Sequence, residues 1–372
     1  MGSHDSEGES LDVVSHRLAE FAATYASLPL YAGICTGAAG DAEVASLLTA
    51  AQPGQARPVL LLAALHDLVL RDPSVPAARW FTSVGGRSPA PGEDPWPEVR
   101  ATCLEHAPAL RAVIATRATQ TNEVNRSVYV AALLAAACAD VGPVPVALVE
   151  QGCSAGLLLG LDRYRVEVGD VVLGDPASPV RCVGALADGS ARPAPTGLPP
   201  IVERVGLDRE PVALDDDEEV RWLEACLWPD QPERLERFRA AVAVLRADPP
   251  LLVAGDMVDD LGAVAHSARA VASALAGPDV HLVVVVSWAL TYVRRDRRPL
   301  VADALAELAA DGRPVSWLTA EPPGAVPGID PPPDPLPGGS TVLGLRRWRA
   351  GVELPPRAVG HAHPHAPWLH LT

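Results

Sequence analysis

The stretch DVHLVVVVSW, Asp279 to Trp288, constrains the fold more than any other part of the chain. Four consecutive valines behind a leucine leave no polar side, so the strand must be covered on both faces, the condition of a central parallel strand. The chain must then supply helices for both faces. SARAVASALAG and PLVADALAELAAD carry helical patterns nearby, with RPVSWLTAE reading as a strand and Thr341 to Leu354 as a late strand pair. Strands alternating with helices imply a parallel or mixed α/β sheet over residues 141–372.

Ahead of this region the period is helical. VVSHRLAEFAATYA, ARPVLLLAALHDLVL and APALRAVIATRATQTNEVNRSVYVAALLAAA repeat apolar residues three and four apart, which predicts an all-helical domain over 11–140. Residues 1–10, acidic and polar, read as a disordered tail rather than a signal peptide or anchor. Residues 174–249 read as a mainly helical insertion, and EPPGAVPGIDPPPDPLPGG as a long surface loop.

Charge narrows the partners. Thirty Lys and Arg against 46 Asp and Glu give a formal charge of −16, leaving no cationic surplus for a phosphate backbone, so nucleic acid is excluded. The expected ligand is a small polar or anionic metabolite. No apolar run reaches the roughly 20 residues of a membrane span, and the six scattered cysteines form no paired framework. A cytoplasmic protein with reduced thiols is the expectation.

Four stretches carry candidate chemistry. VALVEQGCSAGLLLG runs as strand, glycine turn and short helix, the arrangement that lets a cofactor approach backbone. Glu150, Gly152, Ser154 and Gly156 form that cofactor-like loop, although Ser154 breaks the GxGxG form; a tight structural strand-to-helix turn is the alternative. TRATQTNEVNRSVY is the densest polar cluster in a helical region. On one helix Asn122 and Arg126 share a face beside Glu123, and Arg117, Gln120, Asn122 and Arg126 become candidate binding groups, lining a pocket or forming an interdomain network. LLVAGDMVDDL sets Asp256 at a strand end, as a base or as a helix cap. Ser287 and Tyr292 follow the valine strand, and an arginine of the polar cluster can clamp a carboxylate or sulfate. The tail GHAHPHAPWLH clusters histidines without nearby acidic or cysteine ligands, so no metal is assigned to it.

The glycine turn resembles the first motif of S-adenosylmethionine-dependent methyltransferases, where an acidic residue at a strand end precedes the loop around the methionine part of the cofactor. LPLYAGICTGAAGDAEVASLL, ATRATQTNEVNRS, LVEQGCSAGLLLGLDRY, RWLEACLWPDQPERLERF, SWALTYV and GHAHPHAPW together resemble an uncharacterised actinobacterial family, domain of unknown function 2332. The resemblance implies a Rossmann-like, methyltransferase-type α/β sheet with an N-terminal helical domain and a helical insertion. Where that family reads EVGASAGLN, this chain has Gln151, Cys153 and Leu158, and a histidine usual before SWALTY is replaced within Val284 to Val286.

A weaker resemblance is to the larger component of the aziridine-forming enzyme of azinomycin biosynthesis. It implies a cofactor-independent enzyme of natural-product biosynthesis in which an amine displaces a neighbouring sulfate, with Glu123 and Asp256 as candidate bases, Arg117, Arg126 and Arg204 as candidates for the departing anion, and a small protein subunit as partner. S-adenosylmethionine is the cofactor if methyl transfer is the reaction instead. A non-catalytic ligand-binding or complex-forming scaffold is the third expectation.

Overall fold

The computed structural model describes residues 10–139, 141–142, 144–193, 197–332 and 339–372. The expected tail, apart from Ser10, therefore lies outside the described residues, as does 333–338 of the proline-rich loop. In chain order the helices are α1 (Leu11–Thr24), α2 (Pro29–Ala39), α3 (Ala42–Ala45), α4 (Pro58–Arg71), α5 (Trp96–Glu105), α6 (Ala107–Thr116), α7 (Ser127–Cys138), α8 (Asp217–Ala225), α9 (Pro232–Ala247), α10 (Leu261–Ala276) and α11 (Pro299–Ala309). The strands are β1 (Val146–Gln151), β2 (Arg165–Val168), β3 (Val171–Gly174), β4 (Arg181–Leu186), β5 (Ile201–Asp208), β6 (Leu251–Ala254), β7 (His281–Ser287), β8 (Val315–Glu321), β9 (Thr341–Arg349), β10 (Val352–Ala362) and β11 (Trp368–Leu371). The architecture is mixed α/β.

Contacts divide the chain into two compact units, Met1–Asn122 with Asp217–Glu236, and Glu123–Asp216 with Arg237–Thr372. The first unit is helical. Its core gathers Leu18, Leu30, Ile34, Leu61, Leu65, Phe81 and Ile114 with Trp222 of α8. Asp230 accepts from the amides of Leu30 and Tyr31 at 3.3 and 3.2 Å, satisfying donors at the start of α2 that have no partner within the helix.

The second unit is built on a sheet of order β3-β2-β4-β11-β10-β9-β8-β7-β1-β5-β6. The valine run is β7, paired in parallel with β1 on one side and β8 on the other, and every residue of it is buried. Side chains alternate across the sheet. Ala147, Val149, Val284, Val286 and Trp317 pack with Leu261, Ala265 and Ala268 of α10 and Val301 and Leu305 of α11. The alternate set, Leu148, Val283, Val285 and Leu318, is buried as well, as a strand covered on both faces requires. The succession from β1 runs through β5 to β6 in one direction and through β7 to β8 in the other, so strand order reverses between β1 and β7. In open α/β sheets the crevice beyond the carboxyl ends at such a reversal is where ligands bind.

Four expectations need correction. Residues 174–249 are not mainly helical, because they contribute β4 and β5, and β5 lies directly beside β1. Glu203 and Arg204 interrupt the apolar period of β5 and conceal it. The polar cluster of 117–126 is not one helix: α6 ends at Thr116, 117–123 has no regular structure, and a 3-10 turn spans Val124–Arg126. Threonine and asparagine compete poorly for helix interiors, and Glu123 starts the turn by accepting from the Asn125 amide at 3.0 Å. The element after the glycine turn is a seven-residue 3-10 segment, Leu157–Arg163, not an α-helix. The loop after β8 is not wholly on the surface, since Ala325, Val326 and Ile329 are buried.

Candidate functional site

In the second unit, parallel pairing brings the ends of β1, β7 and β8 level, with Glu150 opposite Val285 and Ser287 opposite Ala320. By alternation Glu150 and Ser287 lie on the face opposite Val149 and Val286. Tyr129 of α7 covers that face at Ser287, its hydroxyl 2.8 Å from the Ser287 hydroxyl. Burial pushes Tyr129 up to about 12, against the pull of Arg126 and the Ser287 hydrogen bond. The phenol is therefore neutral, and either hydroxyl of the pair can donate to the other.

Glu150 is 4% exposed and its Oε2 has no hydrogen-bond partner. Burial raises its carboxyl well above the usual range, and the nearby Asp208 carboxylate raises it further, while Arg126 opposes both. Such a group holds its proton until a cation arrives. Glu321, at the end of β8, is fully buried. Its Oε1 accepts from the amides of Ala289 and Leu290 at 2.9 and 3.0 Å, and its Oε2 is unpartnered. Burial lifts it to about 7, although those two amides and then Arg126 and Arg298 pull it down. The two amides hold the turn after β7, where Trp288 stands at φ 57 and its indole donates to the Thr341 hydroxyl at 2.8 Å. A tryptophan in the left-handed region is strained, and the surrounding contacts hold it there.

Arg126 is 8% exposed. Its Nε donates to the Pro364 carbonyl at 3.1 Å, and its guanidinium lies 5.9 Å from the Trp288 ring centre. The neighbouring Asn125 amide nitrogen reaches the carbonyls of Val183, His365 and Ala366, and its oxygen accepts from the Val183 amide at 2.8 Å. The histidine tail and the NEVNR segment are thus two halves of one brace. His365 Nδ1 sits 3.2 Å from Glu123 Oε2, completing it. Among the described residues no group of three or more His, Cys, Asp or Glu side chains is placed to hold a metal ion.

The cofactor-like loop is packed by the protein itself. Gly152 has φ 70, and a Cβ there would stand 2.4 Å from the Ala289 Cβ. Gly156 has φ 68, and its added Cβ would meet Leu252 at 3.0 Å. Ser154, at φ 51, donates its amide to Asp208 Oδ2 at 2.8 Å. Gln151 donates to the Met257 carbonyl at 2.7 Å and accepts from the Trp317 indole at 3.0 Å. Burial, with Glu150 and Asp208 beside it, raises the Cys153 thiol well above its usual value, which suits packing rather than attack.

The remaining sequence candidates are dispersed. Arg117 belongs to the first unit, where it pairs with both Glu219 oxygens at 2.6 Å; Gln120 is in the same unit, as is Asn122, which is buried with Nδ2 unpartnered. Arg204 pairs with Asp162 at 2.5 Å, and Tyr292 is 84% exposed. The two candidate bases have other duties. Glu123 caps the turn at Asn125 and faces His365 and Arg237. Burial raises Asp256, yet the amides of Val258 and Asp259, Arg209 and Arg297 outweigh it and leave the carboxyl below its ordinary value, as befits a cap rather than a base. Sequence reasoning missed Glu321, Tyr129 and Asp208. Two of the three close predicted or hidden strands, in SWLTAE and IVERVGLD, which is the signal that marks them.

The profile of a bacterial family described as "Uncharacterized protein conserved in bacteria (DUF2332)" matches residues 15–370. No curated protein and no solved structure matches the chain. Among the described residues no helix is long and apolar enough to cross a membrane.

Proposed function

The chain belongs to this DUF2332 family, and on that premise we propose that it is a small-molecule-modifying enzyme whose chemistry is proton transfer at the ends of β1, β7 and β8. The observation that carries the reading is Glu150, a buried carboxyl at the strand-order reversal with one oxygen that no protein group satisfies. A buried oxygen without a donor, at the strand-order reversal of an open α/β sheet, is a place where a ligand can complete the hydrogen bonding. Glu321 holds the Trp288 turn that borders it.

The most specific form of this chemistry is an internal displacement. As the substrate ammonium binds, Glu150 releases its own proton to water; the ammonium then gives one proton to the ionised Glu150, and the freed lone pair attacks the adjacent carbon. The C–N bond forms as the C–O bond breaks, and sulfate leaves with the bonding pair. The cyclic ammonium releases its remaining extra proton to water. Alignment of the two groups supplies much of such a rate. No step runs through a methyl donor, because Ala289 occupies the space that Gly152 leaves and Asp208 already binds the Ser154 amide.

Methyl transfer on a Rossmann-like sheet is the second reading, favoured by the succession β6-β5-β1-β7-β8 and by acidic residues closing both β1 and β5. The test is release of inorganic sulfate from 2-aminoethyl sulfate by the full chain, followed by ion chromatography. Release above the buffer rate that is lost in Glu150→Gln supports the displacement. A buffer-level rate, or full activity in Glu150→Gln, overturns it.

A further inference from the structure

We infer that Arg126 seats the oxyanion of a compact zwitterionic ligand whose ammonium end is taken by Glu150. The inference rests on the site proposed above and names the class of molecule it accepts. Of the three arginines that sequence marks for an anion, Arg117 is neutralised by Glu219 and Arg204 by Asp162. Among the described residues Arg126 forms no ion pair, and its one side-chain hydrogen bond, through Nε to Pro364, leaves Nη1 and Nη2 without a protein acceptor. Those two nitrogens are the fork that grips two oxygens of a carboxylate, sulfonate or phosphate in parallel.

A largely buried arginine calls for a counter-charge or acceptors at its guanidinium. The Trp288 ring that the guanidinium faces follows Ser287, which shares the sheet face of Glu150, and its turn is held by Glu321; neither carboxyl is bonded to Arg126. The guanidinium is instead fixed in place, by Pro364 on one side and the Trp288 ring on another. Its fork is preorganised, its partner is absent from the protein, and the Glu150 oxygen close by lacks a donor. One small molecule carrying both charges satisfies both groups at once. Neither a simple anion nor a simple amine does.

The test uses three inert probes on the full chain, by calorimetry at low ionic strength: taurine, ethanesulfonate and ethylamine. Taurine is expected to bind at least tenfold more tightly than either half-molecule. Arg126→Lys, which keeps the charge but loses the fork, should weaken taurine and ethanesulfonate at least tenfold and leave ethylamine unchanged. Glu150→Gln should weaken taurine and ethylamine and spare ethanesulfonate. Taurine binding no tighter than the half-molecules in the wild type overturns the inference without recourse to any variant, as does unchanged taurine affinity in Arg126→Lys. Because taurine has no leaving group, this pattern without sulfate release from 2-aminoethyl sulfate sinks the enzyme reading and keeps the ligand class. Sulfate release that is indifferent to Arg126→Lys does the reverse.

Discussion

Glu321→Gln isolates the electrostatic state of the strand ends. In the folded protein the Glu321 carboxyl lies at about 7, against 4.5 for an ordinary glutamate. A raised acid binds its proton more tightly in the folded state than in the unfolded one. Between pH 4.5 and 7 the folded state therefore holds a proton that the unfolded state has lost, and stability falls as pH rises through that window. At about 1.4 kcal/mol per unit, the shift from 4.5 to about 7 amounts to about 3 kcal/mol. Glutamine keeps the acceptor for the Ala289 and Leu290 amides but cannot ionise. The stability of the variant relative to wild type should thus climb by about 3 kcal/mol between pH 4.5 and 8. Urea unfolding at half-unit intervals, followed by circular dichroism, measures the difference and cancels other titrating groups. A difference that stays flat, or that falls with rising pH, would show Glu321 ionised and paired, and the reasoning would fail.

Three further outcomes follow from the same geometry. Gly152→Ala forces a Cβ onto Ala289 at a positive φ, a loss of about 2–4 kcal/mol; adding Ala289→Gly should restore the steric share, and failure of that rescue in a urea double-mutant cycle would refute the packing account. His281, buried between Cys138 and Ser316, is driven down to about 3 by burial and then by Arg349 and Arg347. Its neutral form adds stability that is present above the ordinary histidine value and is lost as pH falls towards 3; His281→Gln should remove about 3 kcal/mol of the change between pH 6.5 and 4, and an unaltered acid limb in the melting curves would contradict this. Gln151→Leu strands the Met257 carbonyl and the Trp317 indole, and should cost about 2–4 kcal/mol, read as a lower urea midpoint at unchanged slope.

Legibility in the sequence followed how local each cause was. The run of valines announced β7 because double burial is written into consecutive residues. The glycine turn was equally plain, since Gly152 and Gly156 both adopt positive φ. The reason for Gly152 was not legible, because Ala289 meets it from far along the chain. β4 and β5 stayed hidden for a similar reason: charged side chains on β5 find a partner such as Asp162 only in the folded sheet. At the site, Glu150 and Arg126 were visible as polar residues in apolar surroundings, and the roles of Glu123 and Asp256 were not. Their carboxylates look available in sequence and are taken up by amides and side chains once the chain folds. Glu321 owes its raised carboxyl to burial and its fixed position to two amides past the end of another strand, relations no window of sequence contains.

In the proposed reaction the protein's own groups at the strand ends act without a methyl donor at the glycine turn. Calorimetric titration of S-adenosylmethionine into the full chain is the decisive measurement. No saturable heat is expected. Micromolar affinity that disappears in Glu150→Gln would contradict it and give the site to methyl transfer.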